Sequence, residues 1–260
     1  PKQREVVRVH RENGPLGEKD AAYRAGVREG VLKTLAQKGV IEYYDQEVYR
    51  TPRVSESDGF TLEELTLSEE QQQVYEGIRA LCERGEPSAS LLFGVTGSGK
   101  TQIFIKLIQD CLADGKGAML LVPEISLTPQ LLSKFQRLFG EKIAIIHSGL
   151  SMGERLDAYQ RVRTGAASIV IGTRSAVFAP FRSLGLIILD EEGEHSYKSE
   201  SAPRYHARDV AKLRCVCHNA ALLLASATPS IESYYAAQKG RYHLFTLRRR
   251  YGAAALPDVR

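Results

Sequence analysis

Short apolar runs and helical stretches alternate along the chain from Ser68 onward. Such alternation is typical of an α/β domain with a mostly parallel sheet. Helical spacing of apolar residues predicts helices over Ser68–Cys82, Thr101–Leu112 and Pro129–Phe139, and Gln71 completes a capping-box pattern with Ser68. Six apolar runs fit buried strands, namely Leu91–Phe93, Ala118–Val122, Ile143–His147, Ile169–Ile171, Leu186–Leu189 and Leu222–Ala225.

The first fifty residues follow a different pattern. A short helix or strand is expected to end at the break formed by Asn13-Gly14-Pro15. Helical spacing then runs from Lys19 to Lys38, and Gly39 is a typical helix end. Two short strands, Val40–Tyr44 and Glu47–Thr51, are predicted to follow as a hairpin.

A helix followed by a hairpin is the pattern of a winged-helix domain, which we predict over residues 1–53. Arg24, Arg28 and Lys33 would then line its recognition helix and contact DNA phosphates or base edges. Ordinary solvated charges on a small interaction domain explain the same pattern equally well. The residues alone do not separate these two interpretations.

Composition and charge narrow the class of protein. The 260 residues are 43% hydrophobic and 25% charged, which excludes a disordered chain and a collagen-like fibre. No apolar run is long enough to span a bilayer, and four irregularly spaced cysteines favour reduced thiols in a cytoplasmic protein. The net charge is +4, yet residues 54–73 carry six acidic and no basic side chains. We therefore predict an acidic linker over residues 54–66 between two basic blocks.

The string Gly94-Val95-Thr96-Gly97-Ser98-Gly99-Lys100-Thr101 carries the most specific chemistry. It matches G-x-x-x-x-G-K-[ST] between a predicted strand and a predicted helix, the context that a phosphate-binding P-loop requires. Backbone N–H groups from Gly94 and from Thr96 to Thr101 are expected to surround the phosphates. Lys100 would reach the β and γ phosphates, and the Thr101 hydroxyl would ligate Mg²⁺. The chain is therefore predicted to bind a nucleoside triphosphate.

Acidic residues follow directly on the apolar run Leu186–Leu189. Asp190 would hold Mg²⁺, and Glu191 would orient or deprotonate the attacking water, which makes both catalytic candidates together with Lys100. Ser226 and Thr228 follow another apolar run and could sense the γ-phosphate and relay its loss. No N-K-x-D string occurs, which argues against a GTPase.

The order of these motifs resembles that of superfamily-2 helicases. More specifically, the strings P-E-I-S-L-T-P-Q at 123–130 and G-T-R-S-A-V-F-A-P at 172–180 resemble the bacterial primosomal replication-restart helicases, the PriA or primosomal protein N′ family. The similarity runs from about residue 67 to the end, and the N-terminal pattern fits that family's winged helix. The resemblance implies a RecA-like helicase lobe over residues 67–260.

The resemblance also implies what the protein does. It implies an ATP-dependent DNA helicase that moves 3′ to 5′ on single-stranded DNA and restarts replication at stalled forks in the bacterial cytoplasm. Its partners would be single-stranded and forked DNA, replication-restart and helicase-loading proteins, and single-strand-binding protein. Gln71 lies where the family's adenine-contacting glutamine sits. The expected DNA contacts are Thr128, Arg174 and Ser175, with Tyr197, Lys198, Arg204 and Tyr205 in an aromatic-rich loop that couples DNA binding to hydrolysis.

Departures from the family's pattern bear on these expectations. Gly193 stands where the family's D-E-E-H has its histidine, so that coupling role cannot be given to His195. A second lobe with its arginine finger, a cysteine-rich zinc module and an initiator Met are missing. We therefore expect a fragment that hydrolyses ATP poorly alone and binds no zinc. The alternatives are a non-catalytic DNA-binding or helicase-loader module with a structural P-loop and, less favoured, a small-molecule kinase.

Overall fold

The computed structural model describes residues 2–13, 18–43 and 66–251. By its internal contacts the chain divides into two units, Pro1–Val48 and Tyr49–Arg260. The division lies a few residues before the predicted boundary at residue 53. The predicted acidic linker lies outside the described residues except for Thr66, so it stays a prediction.

Three short helices make up the described part of the first unit: α1 (Lys2–Asn13), α2 (Glu18–Arg24) and α3 (Glu29–Gln37). Their small core includes Val6 of α1, Ala21 of α2, and Leu32 and Leu35 of α3. Apolar side chains from all three helices therefore meet, which accounts for the helical spacing in this stretch.

The single helix predicted from Lys19 to Lys38 is wrong. The chain turns between α2 and α3, where Gly26 adopts a φ of 60° that side-chain-bearing residues rarely take. Arg24 therefore ends α2, Arg28 is the N-cap of α3, and Lys33 lies within α3. The three basic residues are all exposed but do not share one recognition helix.

The described residues leave the winged-helix prediction open. Val40 to Tyr43 form no strand, which differs from the predicted start of the hairpin. The rest of the predicted hairpin lies outside the described residues. The assignment of a winged helix stays a prediction.

A sheet whose paired strands are all parallel forms the centre of the second unit. Its order is β3-β4-β2-β5-β6-β1-β7, and each pair of neighbours runs in the same direction. The six predicted strands are confirmed, whereas β7 was not predicted. The strands are β1 (Ser88–Gly94), β2 (Gly117–Leu121), β3 (Ile143–Ile146), β4 (Ile169–Gly172), β5 (Leu184–Asp190), β6 (Ala221–Ser226) and β7 (His243–Leu247).

Helices cover both faces of this sheet. Phe104 and Phe135 pack in one core with α4, whereas Ala158, Ala211 and Ala237 pack in a second core. These cores place α4, α5 and α6 on one face and α7, α8 and α9 on the other. The helices are α4 (Glu69–Glu83), α5 (Lys100–Ala113), α6 (Pro129–Phe139), α7 (Met152–Thr164), α8 (Ala207–His218) and α9 (Ile231–Gln238).

Parallel strands bring their carboxyl ends to one edge of the sheet. Gly94 ends β1, Asp190 ends β5 and Ser226 ends β6, and these three strands are neighbours. Open α/β sheets bind ligands at this edge. Among the described residues, none of the helices is both long and apolar enough to cross a membrane.

Candidate nucleotide and nucleic-acid site

The P-loop leaves β1 at Gly94 and enters α5 at Lys100. Gly97 and Gly99 have φ values of 78° and 79°, which favour glycine and let the loop curl at the start of the helix. A Cβ atom at Gly94 would lie 2.9 Å from Ser98 Oγ, so the loop also needs a residue without a side chain there. This conformation places the loop at the N-terminus of α5, where backbone N–H groups and the helix dipole favour an anion.

Three separately predicted residues meet beside this loop. The Lys100 ammonium donates to the Gly94 carbonyl at 3.1 Å and pairs with Glu191 Oε1 at 3.4 Å. The other oxygen of the Glu191 carboxylate accepts from the Ser226 hydroxyl at 3.0 Å. The fold therefore joins the P-loop, the acidic strand end and the S-A-T string through one carboxylate.

Asp190 lies deeper at the same strand end. Burial, reinforced by the charge of Glu191, raises the pKa of Asp190 to about 6. Its Oδ1 accepts from the Glu191 N–H at 3.1 Å, and Glu191 itself has a φ of 46°. Within the described residues Asp190 forms no salt bridge; Lys100, whose charge lowers the pKa of Asp190, pairs with Glu191 instead.

These residues fit a nucleotide with Mg²⁺. The buried Ser98 Oγ and Gln102 Oε1 have no hydrogen-bond partner among the described residues. Two polar atoms near the loop can therefore bind a ligand or water. No group of three or more acidic, His or Cys side chains in the described ranges could hold a metal by itself. Thr101 and Asp190 can supply two oxygen ligands, and the remaining ligands would have to come from phosphate and water.

Gln71 is buried beside the P-loop. Only 1% of the residue is exposed. Its Oε1 accepts from the Ser68 N–H at 2.9 Å as part of the capping box, and its Nε2 donates to the Ser98 carbonyl at 2.8 Å. The amide therefore supports the P-loop in this structure, and the predicted contact with adenine stays a prediction.

A buried network behind Asp190 and Glu191 escaped prediction. The carboxylate of Glu192 accepts from the Ser230 N–H at 2.7 Å and the Ser233 hydroxyl at 2.9 Å, and it pairs with Arg208 at 3.1 Å. It thereby ties the end of β5 to α8, to α9 and to the loop after β6. The third acid of the D-E-E string was the available signal, but nothing in the sequence marked Arg208 as its partner.

The departure at Gly193 has a geometric reason. A Cβ atom at this position would lie 2.9 Å from the Thr228 carbonyl oxygen. The turn after β5 and the S-A-T loop therefore touch through backbone here, where the family's pattern has an imidazole. The Thr228 side chain is exposed and its N–H donates to Ser226 Oγ at 3.0 Å.

A second concave region lies at the ends of β2, β3 and β4. Its volume is about 310 Å³. Arg174 and Ser175, both predicted DNA contacts, lie in its wall, and the sequence reasoning missed Arg155 there. The buried Arg155 Nε has no hydrogen-bond partner among the described residues. The lining residues are Val122, Glu124, Ser148, Arg155, Thr173, Arg174, Ser175 and Ser196.

Thr128 is not among these lining residues. It is the N-cap of α6, where its hydroxyl accepts from the Leu131 N–H at 3.3 Å. Its half-buried side chain keeps the hydroxyl proton available for another acceptor. The structure therefore gives Thr128 a capping role and leaves its predicted DNA contact untested.

The prediction that Tyr197 stacks on DNA is wrong. Its side chain is fully buried, and its hydroxyl lies 2.9 Å from the Leu121 carbonyl and 2.6 Å from the Asp190 carbonyl. Burial raises the pKa of this phenol well above its ordinary value. Tyr197 therefore supports the strand end that carries Asp190 and presents no ring face to a base.

The other members of the predicted aromatic-rich loop are open to solvent. Lys198 and Arg204 are exposed, and Tyr205 is half-buried against Phe178 at a ring-centroid distance of 4.9 Å. The Arg174 guanidinium lies 6.0 Å from the Tyr205 ring centroid and donates to the Lys198 carbonyl at 2.5 Å. Arg174 therefore joins the cavity to this loop.

Comparison with known proteins shows which family the chain resembles. A model of the DEAD/DEAH box helicase family matches residues 68–236. Replication restart protein PriA of Bacillus subtilis is 47% identical over 228 residues, which are 88% of this chain and 28% of that protein. Its counterpart in Synechocystis is 36% identical over 265 residues, which are 98% of this chain and 31% of that protein. These identities confirm the resemblance inferred from the motifs, and the chain spans less than a third of either relative.

Solved structures show the same lobe. RecG bound to a three-way DNA junction aligns with a TM-score of 0.55 and 23% identity, over 73% of this chain and 25% of that chain. The DUF1998 helicase MrfA bound to DNA and AMPPNP aligns with a TM-score of 0.51 and 19% identity, over 75% of this chain and 30% of that chain. At such identities the likeness establishes the fold, and the predicted RecA-like helicase lobe is confirmed.

Proposed function

This chain belongs to the DEAD/DEAH box helicase family, and we propose that it provides the nucleotide-binding lobe of a replication-restart DNA helicase. In this proposal the protein hydrolyses ATP, moves 3′ to 5′ on single-stranded DNA and acts at stalled forks. The observation that carries the proposal is the meeting of Lys100, Glu191 and Ser226 beside the P-loop. Each comes from a different motif, and one carboxylate joins them.

We assign the chemistry to these residues as follows. Lys100 exchanges its partner Glu191 for the β and γ phosphates, because phosphate oxygens carry more negative charge than one carboxylate. Glu191, released from Lys100, orients the attacking water and takes its proton. Ser226 senses this change through its bond to Glu191. Thr101 and Asp190 hold Mg²⁺, which would neutralise charge on the phosphates when bound.

We place the DNA backbone along the cavity at the ends of β2, β3 and β4. Arg155 and Arg174 supply positive charge there, and the Ser175 hydroxyl can donate to a phosphate oxygen, whereas the Ser148 hydroxyl donates to Glu124 at 2.8 Å. Lys198, Arg204 and Tyr205 extend the surface beyond Arg174, with a half-buried ring for base stacking. Arg24, Arg28 and Lys33 of the first unit would add contacts to forked DNA.

Other parts of the proposal rest on the resemblance to the PriA relatives. They are the bacterial cytoplasm as location, and replication-restart, helicase-loading and single-strand-binding proteins as partners. The family's second lobe supplies an arginine to the nucleotide, so we expect slow ATP hydrolysis by these 260 residues alone. Turnover of several per second by this chain with DNA would contradict that expectation.

The phosphate assignment can be tested with Lys100→Ala. We expect ATP to bind roughly 10-fold more weakly or worse in titration calorimetry, because a charge-assisted contact to the phosphates is lost. Lys106→Ala is the matched control, since Lys106 lies on the same helix but faces the Tyr75 ring at 5.9 Å. Unchanged affinity in Lys100→Ala would contradict the nucleotide site. Stimulation of ATP hydrolysis by DNA would separate a motor from a non-catalytic loader module.

A further inference from the structure

The chain that follows β7 runs beside the P-loop. The Leu247 carbonyl accepts from the Val95 N–H at 3.2 Å, and the Tyr251 N–H donates to the Gly97 carbonyl at 2.8 Å. Between these two bonds lie three consecutive arginines, Arg248 to Arg250, all exposed. A strongly basic segment is therefore joined at both ends to the loop that would cradle phosphates.

The backbone of this segment is fixed by the start of α4. The Glu70 carboxylate accepts from the Arg248 N–H at 2.8 Å and from the Arg249 N–H at 3.3 Å. The Tyr251 hydroxyl donates to the Thr66 carbonyl at 3.2 Å. Glu70 binds backbone N–H groups, and within the described residues the three guanidinium groups form no hydrogen bond or ion pair, so their donors can serve other partners.

Arg250 is the arginine of the three whose side chain lies on the P-loop. Its Cγ and Cδ atoms are 4.0 Å from the position that a Cβ of Gly97 would take, and the Tyr251 Cβ is 3.4 Å from the corresponding point at Gly99. The aliphatic stem of Arg250 thus packs on the loop while its charged end stays exposed.

We propose that Arg250 is a further nucleotide-contacting residue, whose guanidinium binds the phosphates of a nucleoside triphosphate held by the P-loop. The inference rests on the proposed nucleotide site. Lys100 alone is a poor match for a triphosphate, and an arginine adds a planar fork of donors that suits phosphate oxygens. Tyr251 and Glu70 act as positioning residues, because they hold the backbone that carries Arg250.

The test is Arg250→Met, which keeps an unbranched stem for packing on Gly97 and removes the charge. Arg249→Met is the matched control, since Arg249 is an exposed neighbour with the same charge and has no atom within 4 Å of the Cβ position at Gly97. We expect roughly 10-fold weaker ATP binding for Arg250→Met and less than a 2-fold change for Arg249→Met. Tripolyphosphate, which lacks a base, should lose affinity for Arg250→Met by the same factor.

Each other outcome has a defined meaning when Lys100→Ala is measured beside these variants. ATP affinity that falls only in Lys100→Ala overturns the role of Arg250 and leaves the nucleotide site standing. Equal losses in both methionine variants indicate general electrostatic attraction and also overturn it. A loss for ATP but none for tripolyphosphate assigns Arg250 to the base instead of the phosphates. No loss even in Lys100→Ala contradicts the proposed function itself.

Discussion

The protonation of Asp190 is set by its burial and by the carboxylate of Glu191 next to it. Together these raise its pKa from 3.8 to about 6. The folded chain therefore binds this proton more tightly than the unfolded chain does. Protonated Asp190 therefore contributes to the free energy of unfolding. This contribution is fully present below pH 4 and is lost as the pH rises through about 6.

Nucleotide binding should depend on the same proton with the opposite sign, and should strengthen as the pH rises through about 6. Binding of a nucleotide with its Mg²⁺ needs ionised Asp190. For a pKa of about 6, about one tenth of the molecules have this carboxyl ionised at pH 5. We expect the Mg²⁺-dependent gain in ATP affinity to be about 10-fold smaller at pH 5 than at pH 7. Fluorescent-nucleotide titration can measure it. Asp190→Asn is the control for titration of the nucleotide itself, and a parent-to-variant ratio that is constant with pH would contradict the assignment.

At the scale of elements, buried runs were easier to predict than exposed ones. The six predicted strands have continuous apolar stretches, whereas β7 lies at the sheet edge, has polar residues at two of its five positions and was missed. Residues 19–38 keep helical spacing through a turn, because the core contacts of α2 and α3 continue across it. Spacing predicts which side chains face the core, and it does not show where the backbone turns between them.

The network of Glu192 holds several elements together, and its loss should be costly. Glu192→Gln leaves the buried Arg208 without a charged partner, since only 13% of that side chain is exposed. We expect the free energy of unfolding to fall by about 3 kcal/mol in urea titration. Glu83→Gln, which breaks an exposed pair with Arg79, should change it by less than about 0.5 kcal/mol. Equal small effects would show that the buried network contributes little.

At the scale of the whole molecule, a net charge of +4 is too small to indicate DNA binding. The positions of the basic residues are more informative. Arg155 and Arg174 come from different elements and line one cavity. Exposed Lys198 and Arg204 lie in the loop that Arg174 contacts. Basic side chains therefore lie together at the carboxyl ends of β2, β3 and β4 and in the loop that Arg174 contacts.

DNA binding should depend on this cavity. For Arg155→Gln we expect several-fold weaker binding of a single-stranded oligonucleotide in fluorescence anisotropy, with a salt slope reduced by about 0.7. Arg163→Gln is the control on the same helix, since Arg163 is exposed and bonded to Gln160. If the two variants have the same slope, the DNA backbone does not follow this cavity.

The sequence was enough to identify several residues of the site, but it did not show which residues contact one another. Lys100, Glu191 and Ser226 were identified from motifs whose spacing has a chemical reason, and the fold brings them together. Tyr197 was assigned by resemblance, and its fully buried side chain contradicts the predicted stacking on DNA. Arg250 matched no motif, and Arg208 was not identified as the partner of Glu192, because these partners are distant in the chain and only the tertiary structure joins them.

The position of β7 has a consequence for how the protein is made. Gly94 pairs in register with Leu247, so β1 gains its second neighbour only after more than 150 further residues have been synthesised. Until then the P-loop strand has an open edge, and such edges invite pairing with other chains. On the ribosome the phosphate-binding loop is therefore among the first parts of this unit to emerge and among the last to be complete.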